Sequence, residues 1–390
     1  MTSKLNNKLI LSLTLIFLIF TITIYKSLLG FDYNLFFISG DPLSWKKLAI
    51  TIYENNIFQE GFPEDEPFRS WRTPGYPFYL SLLMHLGIFN IYFVFFMNIF
   101  FLLLSLFFIF LIGKKFLKNA QTIYLIILYC VITHISTISE IVQQNLNESL
   151  YFFLLSLSIY FVLNKNNYVS SLGYLILGLS VLVRTTVLPL IIALLILLII
   201  YCLVKKKNLI KLKYFLVFVP AIFWMLRNSA IFGEFGYFIG SNSDHLLLGT
   251  FKFVDWQFID NLYNNLSTEN RTFEVVRSEM RMKFALSRII DNPIQYFLFR
   301  VDVILRHLYD HYAILPLSLL TFIFFKKKKD KNLLLKNKLF LFFIFISIMF
   351  LLIHSLSIYN PRYGVISSFY LSYFLWIFIL KLFLEKNLYD

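Results

Sequence analysis

Blocks of about 20 consecutive apolar residues recur along this 390-residue chain and constrain its fold more than any other feature. A helix needs about 20 apolar residues to cross the roughly 30 Å hydrocarbon layer of a bilayer. Blocks that are long enough, or nearly long enough, lie at about 9–29, 91–112, 120–138, 149–163, 168–183, 187–204, 213–231, 311–325, 338–356 and 365–384. With 58% hydrophobic and 15% charged residues, the chain is not a soluble enzyme, a secreted module or a disordered tail. The sequence therefore predicts an all-α polytopic membrane protein with about ten transmembrane helices.

The distribution of charge predicts the orientation of these spans. Lys4 and Lys8 precede the first block and no small-residue cleavage site follows it, so we interpret it as an uncleaved anchor. Twenty lysines fall in the predicted cytoplasmic segments against three acids, whereas the external segments contain sixteen bases and nineteen acids. Because cytoplasmic loops are enriched in Lys and Arg, both termini are predicted to be cytoplasmic. The net charge of +14 then reflects orientation in the membrane, and no nucleic-acid partner is predicted.

Two external stretches, 31–90 and 228–307, are too long to be simple connections. In the first, the apolar segment 75–87 is too short to cross, so we predict a helix that lies on or dips into the outer surface. In the second, apolar residues recur at helical spacing at Phe273, Val276, Met280 and Phe284. Asp291-Asn292-Pro293 should end that helix, and another interfacial helix should follow it.

Polar residues at the predicted external boundary are the candidates for chemistry, because such residues are costly near lipid unless they line a cavity. Asp41 lies in ISGDPLSWKKLA, where Pro42 can begin a helix, so a helix-capping role is the structural alternative to a functional one. Arg72 precedes a Pro-Gly-Tyr-Pro turn in SWRTPGYP, and its alternative is a solvated arginine beside a turn.

Further charged candidates share that boundary. Glu148 ends the polar string SEIVQQNLNES, for which a solvated loop is the alternative. Arg184, in LVRTTVLP, has no acid near it in sequence, so it either reaches the outer face or enters a cavity. Arg362 opens the last span in YNPRYG. Three arginines at one depth would suit a phosphate or pyrophosphate, which guanidinium groups bind through charge-assisted hydrogen bonds.

A metal site is not predicted. His307 and His311 are four residues apart, a spacing that zinc sites use, but no HExxH motif accompanies them, and hydrogen bonding at the interface is the alternative. The acids around Asp41 are too sparse for a cage of oxygen ligands, so no obligatory cofactor or divalent metal is expected. Cys130 and Cys202 both lie in apolar blocks, which argues against a disulfide framework.

The order of these motifs resembles the GT-C membrane glycosyltransferases. The resemblance depends on an early external aspartate, RTPGYP, an acid before a Leu/Phe-rich span, Leu-x-Arg between spans, RN-x3-FG at the start of a large loop, and RY before the last span. It is nearest to the bacterial glycosyltransferase family 39-like group, which includes protein O-mannosyltransferases and the aminoarabinose transferase of lipid A. It covers the chain from Asp41 to Tyr363. Many relatives carry a second acid directly after the aspartate, where this chain has Pro42.

The resemblance implies one GT-C-type transmembrane domain over 1–390, which transfers a sugar from a polyprenyl-phosphate carrier to an envelope glycan, lipid or protein. The reaction would invert the anomeric centre on the external face of a bacterial plasma membrane. Asp41 would be the catalytic base, and Glu148 would orient acceptor or sugar. The donor, with its phosphate, would contact the remaining residues of the pattern, Arg72, Tyr76, Arg184, Arg362 and Tyr363.

Two other functions fit a multi-spanning chain with large external loops. A polysaccharide polymerase or ligase would depend on external arginines and a histidine in a late loop rather than on an aspartate after the first span. A flippase or transporter of lipid-linked sugars would perform no chemistry, and broken helices or inverted repeats would favour it.

Overall fold

The computed structural model describes residues 40–61, 67–68, 72–117, 120–143, 146–185, 211–233 and 273–310, with isolated helical positions between 188 and 203 and between 366 and 377. Their regular secondary structure is helical apart from an antiparallel pair of two-residue strands, β1 (Glu60–Gly61) and β2 (Pro67–Phe68). The first eight helices are α1 (Gly40–Asn55), α2 (Gly75–His85), α3 (Ile91–Lys114), α4 (Ala120–Thr133), α5 (Ile135–Gln143), α6 (Glu148–Val162), α7 (Asn167–Val183) and α8 (Val219–Phe232). A 3-10 helix, Leu212–Phe218, leads into α8, and two later helices are α9 (Phe273–Asp291) and α10 (Pro293–Asp310).

Two helical segments among the described residues are long and apolar enough to cross a membrane. They are Ile91–Lys114 and the composite Leu212–Phe232, which confirm the blocks predicted at 91–112 and 213–231. Asn90 caps the first, because its Oδ1 accepts hydrogen bonds from the backbone N–H groups of Tyr92 and Phe93. The second ends at Gly233, whose φ of 73° lies in the left-handed region that favours glycine.

The block predicted as one straight span at 120–138 is instead a bent pair. Helices α4 and α5 are long and apolar enough to cross a membrane only when they are taken together, and the chain bends by 68° at the break between them. At the break, Thr133 Oγ1 donates to the carbonyl oxygens of Tyr129 and Cys130, and His134 Nδ1 lies 2.8 Å from the latter. These side chains occupy carbonyls that a continuous helix would use for its own hydrogen bonds, which accounts for the bend.

Helices α6 and α7, predicted as spans at 149–163 and 168–183, form a tightly packed hairpin but are only 15 and 17 residues long. Gly173 permits the close approach, because a Cβ there would lie 2.7 Å from the backbone nitrogen of Val162. Ser158 Oγ also donates to the Gly173 carbonyl at 2.9 Å.

The remaining predicted spans are described in part or not at all. A short apolar helix, Ser368–Ile377, lies within the block at 365–384, and scattered helical positions lie within 187–204. Those at 9–29, 311–325 and 338–356 lie outside the described residues. The described residues thus contain two spans, or three if the bent pair counts as one, which is compatible with a membrane protein.

One hydrophobic core contains residues of all the helices from α1 through α7 and of the helix Ser368–Ile377. Polar side chains fix this last helix within the core. Tyr373 Oη donates to the Ile109 carbonyl at 2.7 Å, Tyr370 Oη lies 2.7 Å from Ser156 Oγ, and Ser368 Oγ lies 2.8 Å from His134 Nε2. Such buried hydrogen bonds fix the register of the helices they join.

Candidate functional site

The sequence-predicted residues Asp41 and Arg72 form an ion pair. Arg72 Nη2 lies 2.7 Å from Asp41 Oδ1, and Arg72 Nε donates to Ser44 Oγ at 3.2 Å. Asp41 and Ser44 are three residues apart in the first turn of α1, so they lie on one helix face. About a quarter of each charged side chain is exposed, at 23% for Arg72 and 24% for Asp41, so a ligand can reach this pair. Helix α1 begins at Gly40, which places Asp41 inside the first turn rather than before it.

The segment after Arg72 docks against the carboxyl end of α7. Thr73 Oγ1 donates to the carbonyl oxygen of Val183 at 2.8 Å. A Cβ on Gly75 would lie 2.9 Å from the Leu182 carbonyl carbon and oxygen, so only glycine fits this contact without a shift. The ring of Tyr76 is fully buried and packs edge-on against Trp45 with centroids 5.3 Å apart. The RTPGYP segment therefore fixes the position of Arg72 relative to two helices.

The residues Glu148 and Arg184 form a second ion pair, which is more buried. Arg184 Nη1 lies 2.5 Å from Glu148 Oε1, and the two side chains are 11% and 2% exposed. Glu148 begins α6 and Arg184 follows the last residue of α7, so an acid lies at a helix amino end and a base at a helix carboxyl end. The other carboxylate oxygen of Glu148 is buried and has no hydrogen-bond partner among the described residues. Arg184, which has no acid near it in sequence, thus finds one 36 residues upstream.

A single carbonyl brings the two ion pairs to one place. The Val183 oxygen accepts hydrogen bonds from Thr73 Oγ1 and from Asn147 Nδ2, each at 2.8 Å. Thr73 directly follows Arg72, Asn147 directly precedes Glu148 and Val183 directly precedes Arg184, so each of the three adjoins an ion-pair residue in the sequence.

Asp41, Arg72, Glu148 and Arg184 are called the ion-pair cluster here. Its formal charge is zero, because two guanidinium groups balance two carboxylates, and each arginine already contacts one of these acids. This differs from the expectation of arginines grouped around an anion, since a phosphate must share each guanidinium with an acid. A guanidinium has five N–H donors, so it can bind a carboxylate and a phosphate together. Arg362 and Tyr363, the other two predicted residues, lie outside the described residues.

An apolar groove of about 710 Å³ lies between α1, α2, α7 and α8. Its lining includes Ile52, Phe58, Phe78, Leu175, Leu179, Leu182, Phe223, Trp224 and Arg227. Leu182 directly precedes Val183, so the groove and the ion-pair cluster share the last turn of α7. A charged cluster beside an apolar groove suits an amphipathic ligand, which has both a polar and an apolar part.

Arg227 is the charged residue of that groove. It donates from Nη2 to the Phe58 carbonyl at 3.0 Å and from Nη1 to Asn228 Oδ1 at 2.7 Å, and it packs over the Trp224 ring at 4.7 Å. It lies in the RN-x3-FG motif, to which the resemblance assigns no role. Ser44, Thr73 and Asn147 were also missed, because their contacts join segments far apart in sequence.

Tyr79 lies in α2, a helix of 11 residues that is too short to cross a bilayer. Burial raises the pKa of its phenol above the ordinary value, because the charged form is poorly solvated there. Its Oη and the indole Nε1 of Trp45 are buried without hydrogen-bond partners among the described residues. Both flank Tyr76, whose ring lies 5.7 Å from that of Tyr79. No group of three or more His, Cys, Asp or Glu able to hold a metal occurs in the part of the chain that the structure describes.

Comparison of the chain with family models, with curated proteins and with solved structures finds no match in any of the three. Its function is therefore argued from its own residues and their geometry.

Proposed function

We propose that this chain is a membrane glycosyltransferase that moves a sugar from a polyprenyl-phosphate-linked donor to an envelope acceptor on the external face of a bacterial plasma membrane. The observation that supports it most is the meeting of two ion pairs at the carboxyl end of α7, beside an apolar groove. A lipid-linked sugar has a polar, anionic head and a long apolar tail, so it needs both surfaces in one site. A GT-C-like arrangement of about ten helices is part of this proposal.

In the proposed reaction, Asp41 Oδ accepts the proton of the acceptor hydroxyl as that oxygen attacks the anomeric carbon. The bond from the anomeric carbon to the phosphate oxygen breaks, and its electron pair leaves with the polyprenyl phosphate. Direct displacement from the opposite face inverts the anomeric centre. Every atom is accounted for: the proton moves to Asp41, the sugar to the acceptor and the negative charge to the phosphate.

Arg72 is proposed to stabilise that leaving charge. It holds Asp41 and Ser44 through Nη2 and Nε, so the base and the phosphate ligand are fixed relative to one another before donor arrives. Charge that develops on the phosphate oxygen is stabilised by a guanidinium already in position. Because Arg72 is shared, the Asp41 carboxylate also keeps it oriented in the empty site.

The Glu148–Arg184 pair is proposed to orient the acceptor or the sugar. Glu148 uses one oxygen for Arg184, and its buried Oε2, which has no hydrogen-bond partner among the described residues, is proposed to accept a hydrogen bond from a substrate hydroxyl that enters the protein beside it. Arg184 fixes the carboxylate from the other side, and with Arg362 it adds positive charge for the donor phosphate. Tyr363 is proposed to complete the donor site, and the buried Tyr76 is proposed to support it by holding the segment that carries Arg72.

The test is transfer of label from a panel of polyprenyl-phosphate sugars by the full chain purified in phosphatidylethanolamine/phosphatidylglycerol vesicles, with envelope extract as acceptor. Label in the acceptor, with release of polyprenyl phosphate, is the expected result and identifies the sugar. Folded protein that transfers label from no donor in the panel would contradict the proposal.

A flippase of lipid-linked sugars is the second candidate, because the 68° break between α4 and α5 is the kind of broken helix that transporters use. The same vesicles distinguish the two functions. A flippase makes donor in the inner leaflet accessible to an external probe without forming product, whereas a transferase forms product from external donor.

A further inference from the structure

The helices α9 and α10 distribute their side chains in an unusual way. Arg281 and Arg300 are buried, at 4% and 5% exposure, whereas large apolar side chains on the same helices are exposed. Those with 46% to 74% exposure are Leu286, Ile290, Ile294, Phe297, Leu298 and Leu305. A helix on the surface of a soluble protein has the opposite distribution, with its apolar stripe against the core and its charges outside.

The exposed apolar residues of each helix form one stripe. Leu286 and Ile290 are four residues apart on α9, as are Ile294 and Leu298 on α10, so each pair lies on one helix face. The stripe extends about 17 Å from Ile294 to Leu305 at the rise of an α-helix. Asn292 alone separates the two helices, and backbone hydrogen bonds run through this junction, from the Asn292 N–H to the Arg288 carbonyl and from the Tyr296 N–H to the Asn292 carbonyl. The two helices together are called the α9–α10 pair here.

Polar residues flank the stripe on its other side. Lys283 and Ser287 are exposed on α9, displaced around the helix by about 60° from Leu286 and Ile290 respectively. Gln295 is exposed on α10, about 100° from Ile294. From Met282 to Leu305 the helices therefore have a buried side, an exposed apolar side and an exposed polar side, whereas the exposed Glu279 begins the same face of α9 one turn earlier. Such a division suits a helix at the boundary between hydrocarbon and water.

The same chain provides a comparison for the exposed apolar sector. On α3 and α8, which belong to the segments apolar enough to cross a membrane, Phe96 and Phe223 are exposed by 54% and 69%. The apolar side chains of the stripe on α9 and α10 are similarly exposed, but neither helix is apolar enough along its length to cross a membrane. Because the spanning segments bring a bilayer to this molecule, lipid is available to cover the stripe.

We infer that the α9–α10 pair inserts its exposed apolar residues into one leaflet of the bilayer without crossing it. Its occupant is the acyl-chain region of membrane lipid, with Lys283, Ser287 and Gln295 at headgroup level. This goes beyond the proposed transfer reaction and concerns a surface outside the ion-pair cluster. The pair ties this part of the chain to the membrane, and Arg281 and Arg300 remain on its buried side.

The test is nitroxide scanning of the full chain in phosphatidylethanolamine/phosphatidylglycerol vesicles, after Cys130→Ala and Cys202→Ala. Spin labels replace Leu286, Ile290, Ile294 and Leu298 in turn, with Lys283, Ser287 and Gln295 as matched controls on the polar sector of the same helices. Collisions with oxygen, which concentrates in hydrocarbon, and with a water-soluble nickel complex are measured at each site. All these positions are exposed, so labelling should not disturb folding.

The expected result is high oxygen and low nickel accessibility at the four apolar sites and the reverse at the three controls. High nickel accessibility at all seven sites would place the α9–α10 pair in water and overturn the inference. Low accessibility to both reagents at the apolar sites would mean that protein, either a second copy or an acceptor, covers the stripe, and would overturn it equally. None of these results depends on transferase activity, so the inference and the proposed function fail independently.

Discussion

Removal of either member of the Glu148–Arg184 pair should destabilise the protein strongly, whereas removal of both should not. Glu148 is 2% exposed and contacts Arg184, which is 11% exposed. Arg184→Met leaves a carboxylate buried without the guanidinium that stabilises it, and Glu148→Leu removes the carboxylate that Arg184 contacts. Breaking a buried pair from one side costs about 3–5 kcal/mol.

The double variant Glu148→Leu/Arg184→Met replaces the pair by apolar side chains of similar size. Such replacements are usually neutral or stabilise by about 1–4 kcal/mol, because no charge has to be buried. The two single effects should therefore fail to add in the double variant. If Glu148 orients substrate as proposed, the double variant is stable but transfers sugar poorly, which separates a functional role from a structural one.

The assay is unfolding in mixed micelles by titration with a denaturing detergent, followed by the loss of helical circular dichroism. Glu54→Leu is a matched control, because it removes an exposed glutamate of α1 and should change the free energy of unfolding by less than about 0.5 kcal/mol. Single variants as stable as this control, or effects that add in the double variant, would refute the reasoning.

Three further predictions concern the contacts that position the site. Gly75→Ala should cost about 1–3 kcal/mol and weaken transfer, since its Cβ would overlap the Leu182 backbone; unfolding and transfer assays on one preparation check this, and an unchanged protein would contradict the contact. His134→Ala and Ser368→Ala should show a coupling of about 0.6 kcal/mol in a double-mutant cycle, and additive effects would argue against their hydrogen bond. Because folding raises the pKa of Tyr79, the stability that this phenol contributes is complete below pH 10 and decreases as the pH rises further. In Tyr79→Phe, the free energy of unfolding should therefore fall less steeply above pH 10 than in wild type, and an equally steep fall would refute the prediction.

Local patterns in the sequence predicted several elements well. The helix expected from Phe273 onward begins at that residue and ends at Asp291, because Asn292-Pro293 cannot continue it. The short apolar segment after Arg72 is helix α2, and the block at 91–112 is a single long helix. In each case a continuous stretch of sequence contains both the periodicity and the signals that end the helix.

The features of the structure that local sequence patterns did not predict arise mostly from contacts between side chains or segments that no single pattern describes. The break at His134 arises from side chains that bind carbonyls within an otherwise uniform apolar block. The pairing of Glu148 with Arg184 could have been inferred, since a helical hairpin brings the start of one helix beside the end of the next. The convergence on the Val183 carbonyl could not, because it needs the relative placement of three segments.

The most direct test of the central claim is the single-turnover rate of sugar transfer by wild type and Asp41→Asn at saturating donor in vesicles. Glu54→Gln, an equivalent change at an exposed acid of the same helix, is the control. If Asp41 is the base, Asp41→Asn should slow transfer by about 10²–10⁴-fold at normal membrane abundance, with Glu54→Gln unchanged. Transfer by Asp41→Asn at the wild-type rate would contradict the account.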